Sequence, residues 1–383
     1  MDKPTVQDIF HRFYPAYLDQ YSPSPVQAKV AHNIMNCKTG AYGANVCVCE
    51  DCGFVQIHYN SCRNRCCPMC QAVPKEMWMD ARREDVLDAP YFHLVFTVPD
   101  ILNPVIYSNQ RLLYDALYHA ASSTISELTA DPKHLGAKVG YICILHTWGS
   151  EMNFHPHIHT ILLGGGLASN NQWKDNGENF FLPIRVISKV FRGKYLEELK
   201  RLWKEDKLVF HGTAEKFRNH YTFKELLDSC YGMDWIPHCK KTFNGAQTVM
   251  KYLGKYTHRI AVSNPRIVCM DDDTVTFLVK DYRNEGQWKE LTISGVEFVR
   301  RFLMHVPPRR FVRIRHYGLL CSRTKSQKLT LCRNLLGCKK YLSKLRDMEM
   351  PEILEHLYGI KVCVCKACGG HLGKPQMRMP LRC

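Results

Sequence analysis

The chain has 383 residues, enough for about two or three domains with at least one sizeable core. No apolar run is long enough to span a bilayer, and the opening MDKPTVQDIF is not a signal peptide, so a soluble cytoplasmic protein is expected. A formal charge of +16 points to a polyanionic partner, with nucleic acid ahead of a membrane surface.

Residues 1–36 read as a helical lead-in, broken by SPSP at 22–25. Residues 37–86 form a candidate zinc-binding, DNA-binding unit: eight cysteines lie within 37–70, and a helix is predicted over 77–87. Residues 87–320 read as one α+β unit. YFHLVFTV (91–98) is a strand ended by Pro99, and 111–128 has helical periodicity. YICILH (141–146) and His157 to Leu163 are strands, followed by a polar loop and a helix near 196–206. A helix is predicted over about 245–258, where Asn244 and Gln247 could form a capping box. Strands follow at 266–270, 274–280 and 288–293, then VEFVRRFLMHV as a helix and FVRIRHYG as a strand. Residues 321–383 are a basic C-terminal region with a small cysteine knot.

Nineteen cysteines is an odd number, and their tight C-x-x-C spacing argues for metal ligation rather than disulfides. Cys49–Cys52 and Cys67–Cys70 are two knuckles that together complete one tetrahedral zinc site. Cys37, Cys47, Cys62 and Cys66 remain for a second, interleaved site, with His58 as a substitute ligand. Filled tetrahedra make such zinc structural, and its expected role is to hold Arg63, Asn64, Arg65 and Lys75 against DNA. A further C-terminal site is open to Cys363 or Cys365, Cys368, His371 and Cys383, with a tail of reduced cysteines as the alternative.

His157 and His159 alternate on one strand face while Ile158 points to the other, which makes half of a metal site. An antiparallel pairing of the two strands would return His146 to the pair as third ligand for Mg²⁺ or Mn²⁺. Gln247, His258 and Glu151 are rivals for that place, and His155 is peripheral. In KYLGKY, Tyr252 and Tyr256 are four apart and share a helical face. They are either core aromatics or, beside a metal-bound phosphodiester, nucleophiles. Lys255 lies between them, as a phosphate contact or a solvated lysine.

From Arg300 to Arg346 there are fourteen Lys/Arg and no Asp or Glu. Aromatics interleave this block, which suits stacked single-stranded bases, and a solvated face is the alternative. Arg309, Arg310, Arg313 and Arg315 are its candidate DNA contacts.

Taken together, HPHIH with LLGGGL, YLGKYTHRIAVSN, FVRIRHYGLL, NSCRNRCCPMCQ and YFHLVFTVP resemble the rolling-circle transposases of the insertion sequence 91 family. The likeness runs from about Cys37 to about Leu336. It implies an HUH endonuclease domain, named for two histidines flanking a hydrophobic residue, with a mainly antiparallel sheet and helices packed on one face. It also implies that transposon ends are nicked as single strands, with a tyrosine joined to a 5′-phosphate and a free 3′-hydroxyl left behind. Tyr252 and Tyr256 match the two-tyrosine subgroup. The family commonly has histidines where this chain has Asn45 and Cys66, and Cys47 is a replacement for the first. No Walker-type loop occurs, so unwinding falls to a host helicase or is passive. Location at the bacterial nucleoid follows from the same resemblance. A hydrolytic metal-dependent nuclease and a non-enzymatic zinc-ribbon regulator are the alternatives.

Overall fold

Two capping boxes set the entry to the molecule. Thr5 and Asp8 start helix α1 (Val6–Gln20), and Ser24 and Gln27 start α2 (Pro25–Met35), so the SPSP break becomes the second helix's cap. The elements that follow are strands β1 (Ala44–Val48) and β2 (Val55–Tyr59), helix α3 (Ala72–Arg83), strand β3 (Tyr91–Thr97), and helices α4 (Asn103–Ser108) and α5 (Gln110–Ala130). Next come β4 (Lys138–Trp148), β5 (Phe154–Leu167), β6 (Trp173–Asp175), α6 (Ile184–Lys204), α7 (His220–Gly232) and β7 (His238–Phe243). The chain continues through β8 (Ile267–Met270), β9 (Thr274–Asp281), β10 (Gln287–Ser294), α8 (Gly295–Met304), β11 (Ile314–Gly318), α9 (Lys325–Leu336), α10 (Met350–Tyr358) and β12 (Gln376–Arg378). This computed structural model describes residues 3–176, 182–235, 237–243, 249, 254, 260–281 and 284–378. The predicted helix over about 245–258 therefore lies outside the described residues, apart from Val249 and Gly254, which are both helical.

The architecture is α+β with antiparallel sheets. The largest sheet runs β11-β4-β5-β3-β7, with β6 added to β5. β5 is thus an inner strand, flanked by β4 and β3. Period-two alternation sends Ile158 and Leu162 into a large core with Tyr141, Cys143 and Leu145 of β4, which α5, α6 and α7 cover. The opposite face carries Ile142, Ile144, Ile161 and Leu163, packed with Leu329 and Cys332 of α9 and with Val249. The LLGGGL stretch has a packing reason. A side chain at Gly164 would strike the Pro90 carbonyl, one at Gly165 Trp173, and one at Gly166 the Lys138 backbone.

A second layer holds residues far apart in sequence. The sheet β10-β9-β8 and helix α8 bury Phe277, Phe298 and Phe302 against Phe10, Phe13 and Ile34 of α1 and α2. Phe10 meets Phe302 edge-on at 5.2 Å, and Gln27 donates to the Leu303 carbonyl at 2.9 Å. The cuts expected at residues 36 and 87 therefore run through one continuous core, because the apolar faces of α1 and α2 find their partner beyond residue 260. This layer also grips the β4–β5 connection. Met152 is buried in it, Arg301 donates to the Glu151 carbonyl at 2.9 Å, and Arg266 donates to the Ser150 carbonyl at 2.6 Å. The C-terminal region does not stand apart either. β12 pairs antiparallel with β1, which itself pairs with β2.

Candidate functional site

The β4–β5 register places His146 directly opposite His157 and Ile144 opposite His159. A bulge follows at once, because β4 advances from His146 to Trp148 while β5 runs from His157 back to Phe154. Pro156, which has no N–H to give the ladder, sits in the longer arm. One ring nitrogen from each of His146, His157 and His159 lies within 4.8 Å of the others, and all three residues are buried. The rival Glu151 is turned into the clamped connection, where Asn153 donates to its carboxylate at 3.3 Å. Gln247 and His258 lie outside the described residues. His155 stands at the rim, with Nδ1 3.3 Å from Asp100 Oδ1.

The ring orientations are fixed by hydrogen bonds. His157 Nδ1 donates to the His155 carbonyl at 2.6 Å, which leaves Nε2 with its lone pair, 3.1 Å from His159 Nε2. His93 of β3 contacts the other side of the His159 ring, Nε2 to Nδ1 at 2.9 Å. Burial pushes the His157 pKa down to about 4, with His155 adding repulsion. Burial also lowers the His159 pKa well below its usual value, followed by repulsion from His146, His157 and His93. These imidazoles are neutral near pH 7, the form that ligates metal. Three ring nitrogens converging from two strands fit a divalent ion and leave coordination positions free for a substrate oxygen.

The thiols form two sets of four. Cys37, Cys62, Cys67 and Cys70 have all their sulfurs within 4.8 Å, and so do Cys49, Cys52, Cys365 and Cys368. The first set lies between the end of α2 and the start of α3, and Gln7 of α1 steadies it by donating to the Cys37 carbonyl at 2.9 Å. Cys62 and Cys70 are 3.8 Å apart, and the Asn64 N–H points at Cys62 Sγ from 3.4 Å. Sulfurs about 2.3 Å from the centre of a regular tetrahedron are about 3.8 Å apart, so this set fits zinc.

Residues 140–328 match the family model described as "Putative transposase", and residues 9–98 match the "Transposase zinc-binding domain" model. "Putative transposase y4qJ" of Sinorhizobium fredii (strain NBRC 101917 / NGR234) is 40% identical over 369 residues, covering 95% of this chain and 93% of its own. The "Transposase for insertion sequence element IS801" of Pseudomonas savastanoi pv. phaseolicola is 30% identical over 309 residues, covering 79% of this chain and 72% of its own. The chain belongs to the insertion sequence 91 family of transposases. Solved structures of the conjugative relaxase TrwC in complex with OriT DNA are similar at 14% identity, with TM-scores of 0.25 over 43% of this chain and 71% of that one, and 0.27 over 69% and 92%.

In this transposase the cysteine pairing departs from the sequence expectation. Cys49–Cys52 and Cys67–Cys70 do not share a site; each knuckle joins a different set. Cys47 and Cys66 belong to neither set. Cys47 packs with Cys49, Cys365 and Leu372, and Cys66 is buried beside Arg65 and Arg313. His58 meets Gln56 instead, 2.7 Å away. The C-terminal set expected from Cys363 or Cys365, Cys368, His371 and Cys383 keeps only its Cys365 and Cys368 among the described residues. Cys365 and Cys368 turn to the N-terminal knuckle, Cys363 is exposed, and Cys383 lies outside the described residues.

The transposase's arginines divide sharply. Arg63, Arg309 and Arg310 are exposed. Arg65 is exposed too, but its guanidinium donates to the Phe311 carbonyl, which ties the cysteine unit to the loop before β11. Arg313 is 9% exposed, with its guanidinium over the Trp148 ring at 5.9 Å. Arg315 pairs with Asp115 and lies over Tyr118 at 4.0 Å. Arg313 and Arg315 are therefore committed to the fold rather than presented to DNA. A cavity of about 230 Å³ opens between the cysteine unit and residues within and just after the tyrosine motif, lined by Arg65, Gln71, Lys75, Gly254, Ile260 and Ser263. Tyr252, Tyr256 and Lys255 lie outside the described residues.

His93 escaped the sequence reading because a lone histidine in YFHLVFTV carries no spacing signal. Only strand pairing brings it to His159.

Proposed function

We propose that this transposase nicks and rejoins single-stranded DNA at transposon ends through a 5′-phosphotyrosine intermediate, the chemistry of rolling-circle transposition. The observation that carries the reading is the converging His146–His157–His159 set on an inner strand of the sheet. These three imidazoles would hold Mg²⁺ or Mn²⁺, and the ion would supply Lewis-acid polarisation of the scissile phosphate. Tyr252 or Tyr256 is the nucleophile. Its phenolic oxygen bonds to phosphorus and gives up its proton; the P–O3′ bond breaks; and the departing oxygen takes a proton to become the 3′-hydroxyl. Attack by a 3′-hydroxyl on the phosphotyrosine reverses the step, so rejoining needs no nucleotide hydrolysis. The described part of the tyrosine segment supports this placement: Val249 packs with Ile144 and Ile161, next to the histidines on the same sheet face, and Gly254 abuts Met79 of α3. Cys37, Cys62, Cys67 and Cys70 hold a structural zinc, and Arg63, Arg65, Lys75, Arg309 and Arg310 contact DNA phosphates. Strand separation falls to a host helicase, in keeping with a nucleoid location.

The test is a denaturing gel of the protein incubated with Mn²⁺ and labelled single-stranded DNA from the element's end. A covalent protein–DNA band that disappears in the Tyr252→Phe/Tyr256→Phe variant supports the reading. Cleavage without such a band indicates a hydrolytic nuclease, and binding without cleavage a regulator.

A further inference from the structure

The set Cys49, Cys52, Cys365 and Cys368 joins residues close to opposite ends of the sequence, the Cys52 and Cys365 positions being 313 apart. The two stretches are CEDCG (49–53) and CKACG (365–369). Their backbones fold alike. Cys49 N–H donates to the Phe54 carbonyl at 2.9 Å, and Cys365 N–H to the Gly370 carbonyl at 2.8 Å. Gly53 N–H donates to the Cys49 carbonyl and Gly369 N–H to the Cys365 carbonyl, both at 3.0 Å. Gly53 and Gly369 both occupy the left-handed region, at φ +71° and +76°, where a side chain is disfavoured. Each turn aims its two sulfurs at the other turn. Ala367 N–H points at Cys365 Sγ and Gly370 N–H at Cys368 Sγ, each from 3.4 Å, which favours the thiolate form.

Across the gap, Cys49 Sγ is 3.5 Å from Cys368 Sγ, and Cys52 Sγ is 3.7 Å from Cys365 Sγ. A disulfide requires about 2.05 Å, whereas the edge of a zinc tetrathiolate is about 3.8 Å. All four cysteines are free. The surrounding contacts dock one end of the chain on the other. Glu50 N–H donates to the His371 carbonyl at 3.0 Å, Gly373 N–H to the Val48 carbonyl at 2.9 Å, and His371 N–H to Asp51 Oδ2 at 3.1 Å. Among the described residues the apolar core beneath is Cys47, Cys49, Cys365 and Leu372, and a core this small needs a staple. Cys365 and Cys368 also lie beyond both family-matched ranges.

We propose that Cys49, Cys52, Cys365 and Cys368 form a second, composite zinc site that clasps the C-terminal segment to the N-terminal unit. Its four positions are filled, so it is structural. The clasp anchors the far end of a segment that also crosses α3, where Tyr341 donates to Asp80 at 2.7 Å and Arg346 pairs with Glu84 at 2.7 Å. It thereby keeps the exposed Lys339 and Lys344 beside the helix that follows the first cysteine set.

Native mass spectrometry of the full-length protein counts zinc on folded ions. The C49S/C52S and C365S/C368S variants should each carry one zinc fewer than wild type, and the quadruple variant should also carry only one fewer. A C365S/C368S chain with the wild-type count overturns the proposal, as does a quadruple variant that loses two. A second readout needs no variant. Cys52, Cys363 and Cys368 are all exposed. In wild-type protein, iodoacetamide should modify Cys363 at once and spare Cys52 and Cys368 until a chelator exposes both together. Modification of Cys52 and Cys368 at the Cys363 rate overturns the proposal.

Discussion

His93 Nε2 lies 2.9 Å from His159 Nδ1, with the two rings stacked 15° from parallel at 5.1 Å. When His93 accepts there, the His159 proton is held on Nδ1 and Nε2 is left bare towards His157. An outer partner of this kind orients a ligand and typically affects metal affinity about 10–100-fold. His93→Phe keeps the ring and removes the acceptor, so the Mn²⁺ concentration for half-maximal nicking should rise by about that factor. His93→Gln, whose amide oxygen accepts, should recover part of the loss. An unchanged Mn²⁺ requirement in His93→Phe would remove His93 from the site.

The strand register brings His146 to the proposed metal site, and Trp148 stacks on its ring at 4.4 Å. His146→Ala leaves two imidazoles on one strand, too few to hold an ion firmly. The loss of Mn²⁺ affinity by calorimetry should exceed the roughly 100-fold ceiling expected of an outer partner. A smaller loss than in His93→Phe would mean that the third ligand comes from elsewhere.

Why the histidines were legible and the cysteine pairing was not follows from range. His157 and His159 are two apart on one strand, and the strand's own period aims them together. His146 needed only a hairpin, the shortest long-range contact a chain makes. Each C-x-x-C turn was equally legible, since two residues close it. Which two turns share an ion depends on how stretches 313 positions apart are brought together, and nothing local encodes that. The same reasoning explains the second layer. The apolar faces of α1 and α2 were visible as helical periodicity, but their partner Phe302 lies on α8. The arginines illustrate a third limit. Arg309, Arg310, Arg313 and Arg315 read alike as charges, and only burial against Trp148 and pairing with Asp115 divide them.

His305 sets a pH dependence. It is buried, Nδ1 lies 3.1 Å from Thr147 Oγ1, and Nε2 donates to the Met152 carbonyl at 2.9 Å. Burial pushes its pKa down to about 4, with Arg300 adding repulsion and the Met152 carbonyl opposing the shift. The unfolded chain takes up this proton near pH 6.5, and the folded chain only near 4. Between those values the unfolded state binds more protons, so stability is complete above about 6.5 and falls as the pH drops towards 4. From pH 7.5 to 5 this one group accounts for about 2 kcal/mol. Urea unfolding of His305→Gln should start from lower stability yet lose about 2 kcal/mol less than wild type over that range. Equal losses in both proteins would show that His305 is not held neutral.

The last prediction separates phosphate contacts from framework arginines. Arg309 and Arg310 are exposed at the tip of the loop that Arg65 fastens through the Phe311 carbonyl. Removing a charge that neutralises a single-strand phosphate reduces the slope of log affinity against log salt by about 0.7. R309A/R310A should therefore weaken single-stranded DNA binding at low salt and flatten the slope by about 1.4, with unfolding unchanged. Arg315 is half-buried, paired with Asp115 and stacked on Tyr118. R315A should do the reverse, lowering the unfolding temperature while leaving the salt slope intact, because its charge is already neutralised within the fold. A flattened slope in R315A, or none in R309A/R310A, would move the DNA path away from this loop.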